Sequence, residues 1–365
     1  MAAKKITVGT VFSGIGAPEQ ALYLEGWKTS IAFACDNGER VLPYTKSEID
    51  EMLIKDGVKS NEINSYIKSL YRDAKKSNFV KKTYFANYRI SEEKWFEDVR
   101  FLDGNQFKGK IDLFVGGSPC QSFSNMGKRK GLDDTRGTLF YEYARLIKEI
   151  GPKVFIYENV PGMLTHDHGN TWDTIKSVFG ELGYKTYYKI LNSCDYGIPQ
   201  NRKRIFVVGF ANKRVDFVFP DPIRLPKTVS DYLEESVDAK YYLGEKGFNF
   251  VTHSAGRAKL NESVMRTQKA NQQFNWNGSF IFEKLDKRKH NGDILSRAYV
   301  GEWQGQIGVI RQLTPKECLR LMGFPDSFVI PVPDVHAYRQ SGNSIVVDVL
   351  RAILRAIEKC GGLNE

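Results

Sequence analysis

A cysteine, a glutamate and two arginines stand where they could act together on an electron-poor ring. Cys120 lies in GGSPCQSFS, residues 116–124, directly after the short apolar run 112–115. Such a run reads as a buried strand, and Gly116 and Gly117 end it. A thiol at a strand-to-loop junction is well placed as a nucleophile. A lone cysteine is more often a packed core residue, so this reading needs partners. Glu158, in YENV at 157–160, ends a second strand-like run and belongs on the same carboxyl edge of a sheet. Arg202 and Arg204 alternate with Lys203 at the start of a third, so strand alternation puts both arginines on one face. Thiol, carboxylic acid and guanidinium can attack a heteroaromatic ring, protonate its nitrogen and hold its carbonyl. Taken singly they read as a core cysteine, a capping glutamate and surface arginines.

The elements that must position these groups follow from the pattern of the chain. Residues 6–12 read as a strand, SGIGA as a glycine turn, residues 18–26 as a helix with Pro18 in its first turn, and 30–35 as a strand ending at Asp36. Glycine after a strand admits a ligand to the backbone, and an acid about 20 residues on can accept from ribose hydroxyls. A nucleoside-containing cofactor is the expectation; without a third glycine the turn argues against a nicotinamide dinucleotide. Residues 45–95 interrupt the rhythm with Lys, Glu, Asn and Ser, and read as two solvated surface helices. Lys75, Lys76, Lys81 and Lys82 offer a contact to flanking DNA as the bolder alternative. Strand-like runs return at 112–115, 153–157, 186–191 and 204–210, with helical periods near 137–150 and 172–182. From Pro220 to about Ile310 no helical period persists; 344–360 is a periodic terminal helix.

Bulk properties limit the classes. The 365 residues carry a net charge of +10, which suits a polyanionic partner and equally an ordinary basic surface. No apolar run approaches the roughly 20 residues of a membrane span, and the start of the chain lacks a secretory pattern. Cysteines 35, 120, 194, 318 and 360 show neither disulfide nor zinc spacing, which predicts free thiols in a reducing compartment and no metal.

In order along the chain stand FSGIGA (12–17), Asp36, EDV (97–99), GGSPCQSFS (116–124), RGTLFYEY (136–143), ENV (158–160), DYGIPQNRKRIFVVGF (195–210), RQLTPKECLRLMGFPDSF (311–328) and GNSIVVDVL (342–350). With these pieces the chain resembles the DNA (cytosine-5) methyltransferases of bacterial and phage restriction–modification systems, along nearly its whole length outside 45–95 and 221–305. The resemblance implies S-adenosylmethionine as methyl donor, S-adenosylhomocysteine as product, and no metal. It implies that Cys120 adds to carbon-6 of a flipped-out cytosine. Glu158 would engage ring nitrogen-3, Arg204 the carbonyl at carbon-2, Arg202 would support the site, and Pro119 and Asn159 would shape the pocket. Phe12 would pack on the adenine; Ser13, Gly14, Ile15 and Gly16 would line the site, Asp36 would bind the ribose, Asp98 and Val99 would border the adenine, and Leu139, Asn343 and Ser344 would close the pocket. The chain departs from the family where Asn37 and Gly38 follow Asp36 without a second acid, and where Glu97 replaces a usual glycine.

The loop from Gln121 to Gly137 resembles the one that closes over flipped DNA. Gln121 and Ser124 belong to it, Lys128, Arg129 and Lys130 can reach phosphates, and Met126 either fills the gap left by the cytosine or touches nothing. Arg257, Arg266 and Gln273 are candidates for reading base edges, alongside Gln268, Asn271, Gln272 and Arg297; any one of them reads equally as loop filling.

The expected fold is α/β, a class I S-adenosylmethionine-dependent methyltransferase sheet with a smaller irregular target-recognition domain. The catalytic domain spans 1–220, with the 45–95 insertion, and is completed by 326–365; residues 221–325 form the recognition domain, with DNA between the two. The expected partner is double-stranded DNA, with a cognate endonuclease encoded nearby fitting the restriction–modification type. A cytoplasmic, nucleoid-associated monomer without a membrane contact and without an N-terminal regulatory extension is expected. Rival readings are an RNA methyltransferase on the same scaffold, which shares the cysteine chemistry, and a catalytically dead DNA-binding regulator, which should have lost Cys120, Glu158 or a cofactor glycine. An unrelated thiol or nicotinamide enzyme leaves the GNS segment and the Cys–Glu–Arg set unexplained.

Overall fold

The computed structural model describes residues 5–73, 77–118, 139–253 and 256–364. Two compact units emerge. The first holds Met1–Leu191, Lys203–Asp221 and Val349–Glu365; the second holds Asn192–Arg202 and Pro222–Asp348.

The first unit is built on alternating strands and helices: β1 Lys5–Val11, α1 Ala17–Leu24, β2 Lys28–Cys35, α2 Lys46–Lys55, α3 Ile63–Asp73, α4 Phe79–Asn87, β3 Trp95–Phe96, β4 Leu113–Gly116, α5 Leu139–Ile150, β5 Val154–Asn159, α6 Asn170–Glu181 and β6 Lys185–Asn192. The two-residue strand β7, Gln200–Asn201, leads into β8, Lys203–Phe210. Among the described residues β3-β2-β1-β4-β5-β8-β6 form one seven-stranded sheet. The pairs β3–β2, β2–β1, β1–β4 and β4–β5 are parallel, while β8 runs antiparallel to β5. This is the class I methyltransferase architecture, with the parallel strands' carboxyl ends on one edge.

The apolar pattern explains the layers. Buried Val11, Phe33, Phe114, Phe155 and Val207 come from neighbouring strands, and α5 covers them with Phe140, Tyr143, Leu146, Ile147 and Ile150. Phe114 and Tyr143 stack with ring centroids 4.9 Å apart, a geometry worth about 1 kcal/mol beyond burial.

The inserted segment corrects the sequence reading. It holds three helices rather than two, and α4 is not a solvated surface element: Thr83 and Tyr84 are buried on it. Its apolar face is short, with Val80, Tyr84 and Phe85 packed around Ala34 and Trp95, so no long hydrophobic period announced it.

The second unit carries short elements: α7 Glu245–His253, β9 Lys259–Leu260, β10 Met265–Arg266, β11 Ser279–Lys284, α8 Gly292–Arg297, β12 Gly301–Trp303, β13 Gln306–Arg311, α9 Pro315–Arg320 and α10 Asp334–Asn343. The final helix, α11 Val347–Lys359, starts here and lies mostly in the first unit, where Arg351 and Arg355 both pair with Glu25. The sheet order in the second unit is β12-β13-β11-β9. Sequence reading ended the first domain at 220 and resumed it at 326; contacts in the structure group 192–202 and 326–348 with the second unit. The cause is local. Strand β10 pairs with β7, joining Met265 to Gln200 and Arg266 to Asn201.

Arg311 is the electrostatic centre of this unit. Its guanidinium is fully buried and donates to both Glu317 oxygens at 2.8 and 2.9 Å and to Glu283 at 2.7 Å. Thr314 and Glu317 form a reciprocal cap at the start of α9. Burial pushes Glu283 up, but Arg311 and hydrogen bonds from Lys289, Arg311 and His290 outweigh it and hold the carboxyl at about 2. This network accounts for the RQLTPKE segment as a folding device.

Candidate active site

The glycine turn is held by side chains around it. Phe12, the first residue past β1, sits at φ 51°, a left-handed conformation uncommon outside glycine and found at functional turns. The Ser13 hydroxyl accepts from Cys35 N at 3.0 Å and donates to Cys35 O at 3.2 Å, so it binds the turn to the end of β2. Asp36, the next residue, accepts from Gly14 N at 2.9 Å and from Gly38 N at 2.8 Å. Burial pushes the Asp36 carboxyl up, while the two backbone donors oppose it. Glycine turn and acid thus meet, as a nucleoside site needs.

Ile15 and Gly16 are buried at the foot of α1. Phe12 and Leu139 pack, half-buried, against the large apolar cluster in which Val99 is buried. Asp98 is buried and already engaged: it accepts from Tyr71 Oη at 2.9 Å, from Arg100 N at 3.0 Å and from Arg100 Nη2 at 2.6 Å. Asn343 and Ser344 belong to the second unit, at the end of α10.

Beside the turn, β4 ends at Gly116 opposite Tyr157 of β5. The next residues are pinned. Ser118 Oγ lies 2.7 Å from Tyr157 Oη, and Asn159 Nδ2 donates to Ser118 O and to Tyr157 Oη, each at 2.9 Å. A Cβ on Gly117 would meet the Glu158 carbonyl oxygen at 2.6 Å, so glycine lets the two segments close up. Asn159 therefore grips the backbone two residues ahead of Cys120. Tyr157 and Ser118 escaped the sequence reading because both look like strand filling; only the step from an apolar run to Ser-Pro-Cys signalled them.

Glu158 and Arg204 come together across β5 and β8, with Arg204 Nε 3.1 Å from Glu158 Oε1. Both side chains are largely but not wholly buried. A second Arg204 donor goes to Lys203 O at 2.8 Å. Pro119, Cys120, Gln121, Ser124, Met126, Lys128, Arg129 and Lys130 lie outside the described residues, as do Lys75 and Lys76.

Arg202 serves differently. It is buried at the break between β7 and β8 and donates to the carbonyls of Gln268, Gly342 and Ser344 at 2.8, 2.9 and 2.9 Å. A Cβ on Gly342 would meet the Lys269 carbonyl carbon at 2.3 Å, so the GNS segment needs its glycine to let residues 269 and 270 approach. Gln200 Oε1 accepts from Gln268 N at 2.9 Å in the same joint. Of the base-reading candidates, Arg266 spends its guanidinium on the carbonyls of Gly256, Arg257 and Asn277. Arg257 is exposed, and Gln273 accepts through its backbone oxygen from Gln312 at 3.0 Å. Among the described residues no group of three or more His, Cys, Asp or Glu side chains could hold a metal ion, and no helix is long and apolar enough to cross a membrane.

Comparison with known proteins bears on this geometry. The family model described as C-5 cytosine-specific DNA methylase matches residues 54–359. The chain belongs to this family. Its relatives include the type II methyltransferase M.SsoII of Shigella sonnei, 38% identical over 293 residues, covering 76% of this chain and 71% of the relative. The type II methyltransferase M.NlaX of Neisseria lactamica is 41% identical over 244 residues, covering 66% and 74%. Among solved structures, a DNMT2 variant of Spodoptera frugiperda superposes with a TM-score of 0.68 at 18% identity, covering 97% of this chain and 99% of that one; it shares the fold. As a DNA cytosine-5 methyltransferase of the restriction–modification type, the chain acts on DNA, and Glu158, Asn159 and Arg204 lie within the matched residues.

Proposed function

We propose that this methyltransferase uses S-adenosylmethionine to methylate carbon-5 of a cytosine flipped out of a specific short duplex sequence, through a covalent bond to Cys120. The observation that carries the reading is the Glu158–Arg204 pair, 3.1 Å apart at the carboxyl end of β5. The cofactor's fit rests on the Asp36 carboxyl bridging Gly14 and Gly38, next to the half-buried Phe12 at the end of β1. Bound there, the cofactor supplies an electrophilic methyl group. Asp36 is the acceptor available to ribose hydroxyls, and Phe12 offers an aromatic face.

The protein's part is to make carbon-5 nucleophilic. The Cys120 thiolate adds to carbon-6, and the electron pair of the 5,6 double bond moves onto the ring. Glu158 hydrogen-bonds to or protonates nitrogen-3 as this charge develops, and the Arg204 guanidinium holds the carbonyl oxygen at carbon-2. Carbon-5 takes the methyl group, loses its proton to a base, and the cysteine leaves with its bonding pair, restoring the double bond. Asn159 and Tyr157 anchor Ser118, the last described residue before Pro119 and Cys120. The second unit reads the duplex, with Arg202 and Gln200 holding the 265–269 segment.

The test uses random-sequence duplex DNA synthesised with 5-fluorocytosine, where loss of the carbon-5 proton is blocked. With S-adenosylmethionine present, the protein should form a denaturant-resistant adduct mapping to Cys120, and Cys120→Ala should form none. An adduct at another residue, or none while methylation proceeds, overturns the covalent scheme.

A further inference from the structure

We infer that α3, α4 and the cap between them form a fixed wall of the cofactor site, with Tyr71, Asn78 and Tyr88 as positioning residues for Asp98, Asp36 and the glycine turn. This rests on the cofactor reading above and assigns a role to the inserted segment.

Topology brings the parts together. The inserted helices connect β2 to β3, and β3, β2 and β1 are neighbours in the sheet. The three strands end beside Asp98, Asp36 and Phe12 respectively. The connection folds back onto that edge and meets it at three points.

Tyr88, just past α4, donates through its hydroxyl to Gly16 O at 2.7 Å. Gly16 has φ 83°, and a Cβ there would meet the Tyr88 ring at 2.2 Å, so the ring lies flush against the turn. One turn earlier, Tyr84 Oη donates to Glu19 Oε1 at 2.7 Å. Glu19 also accepts from Thr10, and its other oxygen is buried with no partner among the described residues. Asn78 caps α4 by accepting from Lys81 N at 2.9 Å, and its amide donates to Asp36 O at 3.0 Å and to Glu97 Oε2 at 2.9 Å. A Cβ on Gly38 would meet Asn78 Oδ1 at 2.3 Å. Tyr71 of α3 donates to Asp98 at 2.9 Å, with the Arg40 guanidinium 4.6 Å over its ring.

The Tyr71, Asn78 and Tyr88 contacts each hold a residue assigned to the cofactor site, Asp98, Asp36 and Gly16 respectively, and each runs from the inserted segment inward. The described basic side chains of α4 are meanwhile occupied at home. Lys81 pairs with Glu92 at 2.7 Å, and Lys82 lies 5.0 Å over the Phe79 ring. A wall of this kind lowers the ordering cost of cofactor binding, because the acceptors are already held in place.

The experiment compares full-length wild type with the double variant Tyr71→Phe/Tyr88→Phe and with Asn78→Ser, which keeps a helix-cap acceptor and removes the amide donors without adding a charge beside Glu97. Titration calorimetry with S-adenosylhomocysteine should show Kd raised about 5- to 30-fold, the worth of one or two hydrogen bonds. KM for S-adenosylmethionine should rise with it, while kcat and duplex affinity stay near wild type and the ligand-free variants, less stable for each buried bond lost, remain folded at the assay temperature. Unchanged cofactor affinity, or weakened duplex binding with cofactor affinity intact, overturns the inference. So does a fall in ligand-free melting temperature large enough to account for the lost binding. Wild type that binds no S-adenosylhomocysteine overturns the cofactor reading and this one with it; wild type that binds no better than both variants overturns this one alone.

Discussion

Arg204 sets its Nε 3.1 Å from Oε1 of Glu158, across the antiparallel pairing in which Glu158 stands opposite Phe206. The ladder register brings the two together. An arginine two residues before Phe206 points back along β8 toward the end of β5, and the guanidinium reaches the carboxylate without either chain leaving the sheet. A base entering this corner would meet an acid and a cation already oriented, at no further ordering cost.

Replacing Glu158 by Gln should slow methyl transfer by about 10²- to 10⁴-fold, the usual worth of a positioned acid–base group. Glutamine keeps the shape and loses the transferable proton. S-adenosylhomocysteine affinity should stay within about twofold, since Asp36 and the glycine turn lie elsewhere on the sheet edge. Single-turnover rates with labelled methyl donor check this; a near-normal rate removes Glu158 from nitrogen-3.

Tyr157→Phe removes one hydroxyl, which faces both Ser118 and Asn159. The loss should cost about 1–2 kcal/mol of stability, since buried polar groups are left short of a partner. It should slow adduct formation on 5-fluorocytosine DNA about tenfold, because the segment before the cysteine loses an anchor. Rapid-quench trapping and urea unfolding separate the two effects. Adduct formation at the wild-type rate means that Asn159 alone sets the segment.

Arg202→Ala should cost about 2–4 kcal/mol, because three buried carbonyls lose a charged donor. Lysine, with a single-centre ammonium, should recover only part of this. Denaturant unfolding followed by tryptophan fluorescence, through Trp276 and Trp303 of the second unit, measures the loss. An effect below about 0.5 kcal/mol contradicts the clamp.

Glu283 gives a pH dependence with a definite sign. Its carboxyl is held at about 2 against an ordinary 4.5. A depressed folded-state value stabilises fully above about 4.5 and progressively less as the pH falls toward 2. The contribution is of order 3 kcal/mol, from roughly 1.4 kcal/mol for each pH unit of depression. Urea unfolding at pH 7, 4.5 and 3 should show this acid-dependent loss in wild type and its reduction in Glu283→Gln, which is itself weaker at pH 7. Equal acid sensitivity in the two proteins contradicts the assignment.

Elements with a continuous apolar signal were legible. β1, the glycine turn, α1 and β2 follow from alternating burial and Pro18, and α5 from its periodic aromatic and aliphatic residues. Elements held by polar contacts were not. Helix α4 buries Thr83 and Tyr84 amid lysines, and α10, with the sequence DVHAYRQSGN, buries Ala337, Tyr338 and Ser341 without an apolar stripe. The same divide runs through the site. Glu158, Asn159 and Arg204 announce themselves by charge or amide at strand ends. Tyr157 and Ser118 look like filling until their hydroxyls are seen to meet. Arg202 and Arg204 look equivalent in sequence; a strand break at Arg202 and three carbonyls separate their roles. Arg266 resembles a base reader in composition, but its guanidinium is turned onto the carbonyls of Gly256, Arg257 and Asn277.

The measurement that tests the account most directly offers the purified protein methyl-labelled S-adenosylmethionine with unmethylated duplex DNA and, separately, with transfer RNA. Bisulfite sequencing then reads whichever is labelled. The account predicts label on DNA cytosines within one short sequence, with none in Cys120→Ala. Label on RNA alone, or cofactor binding without label on either, would contradict it.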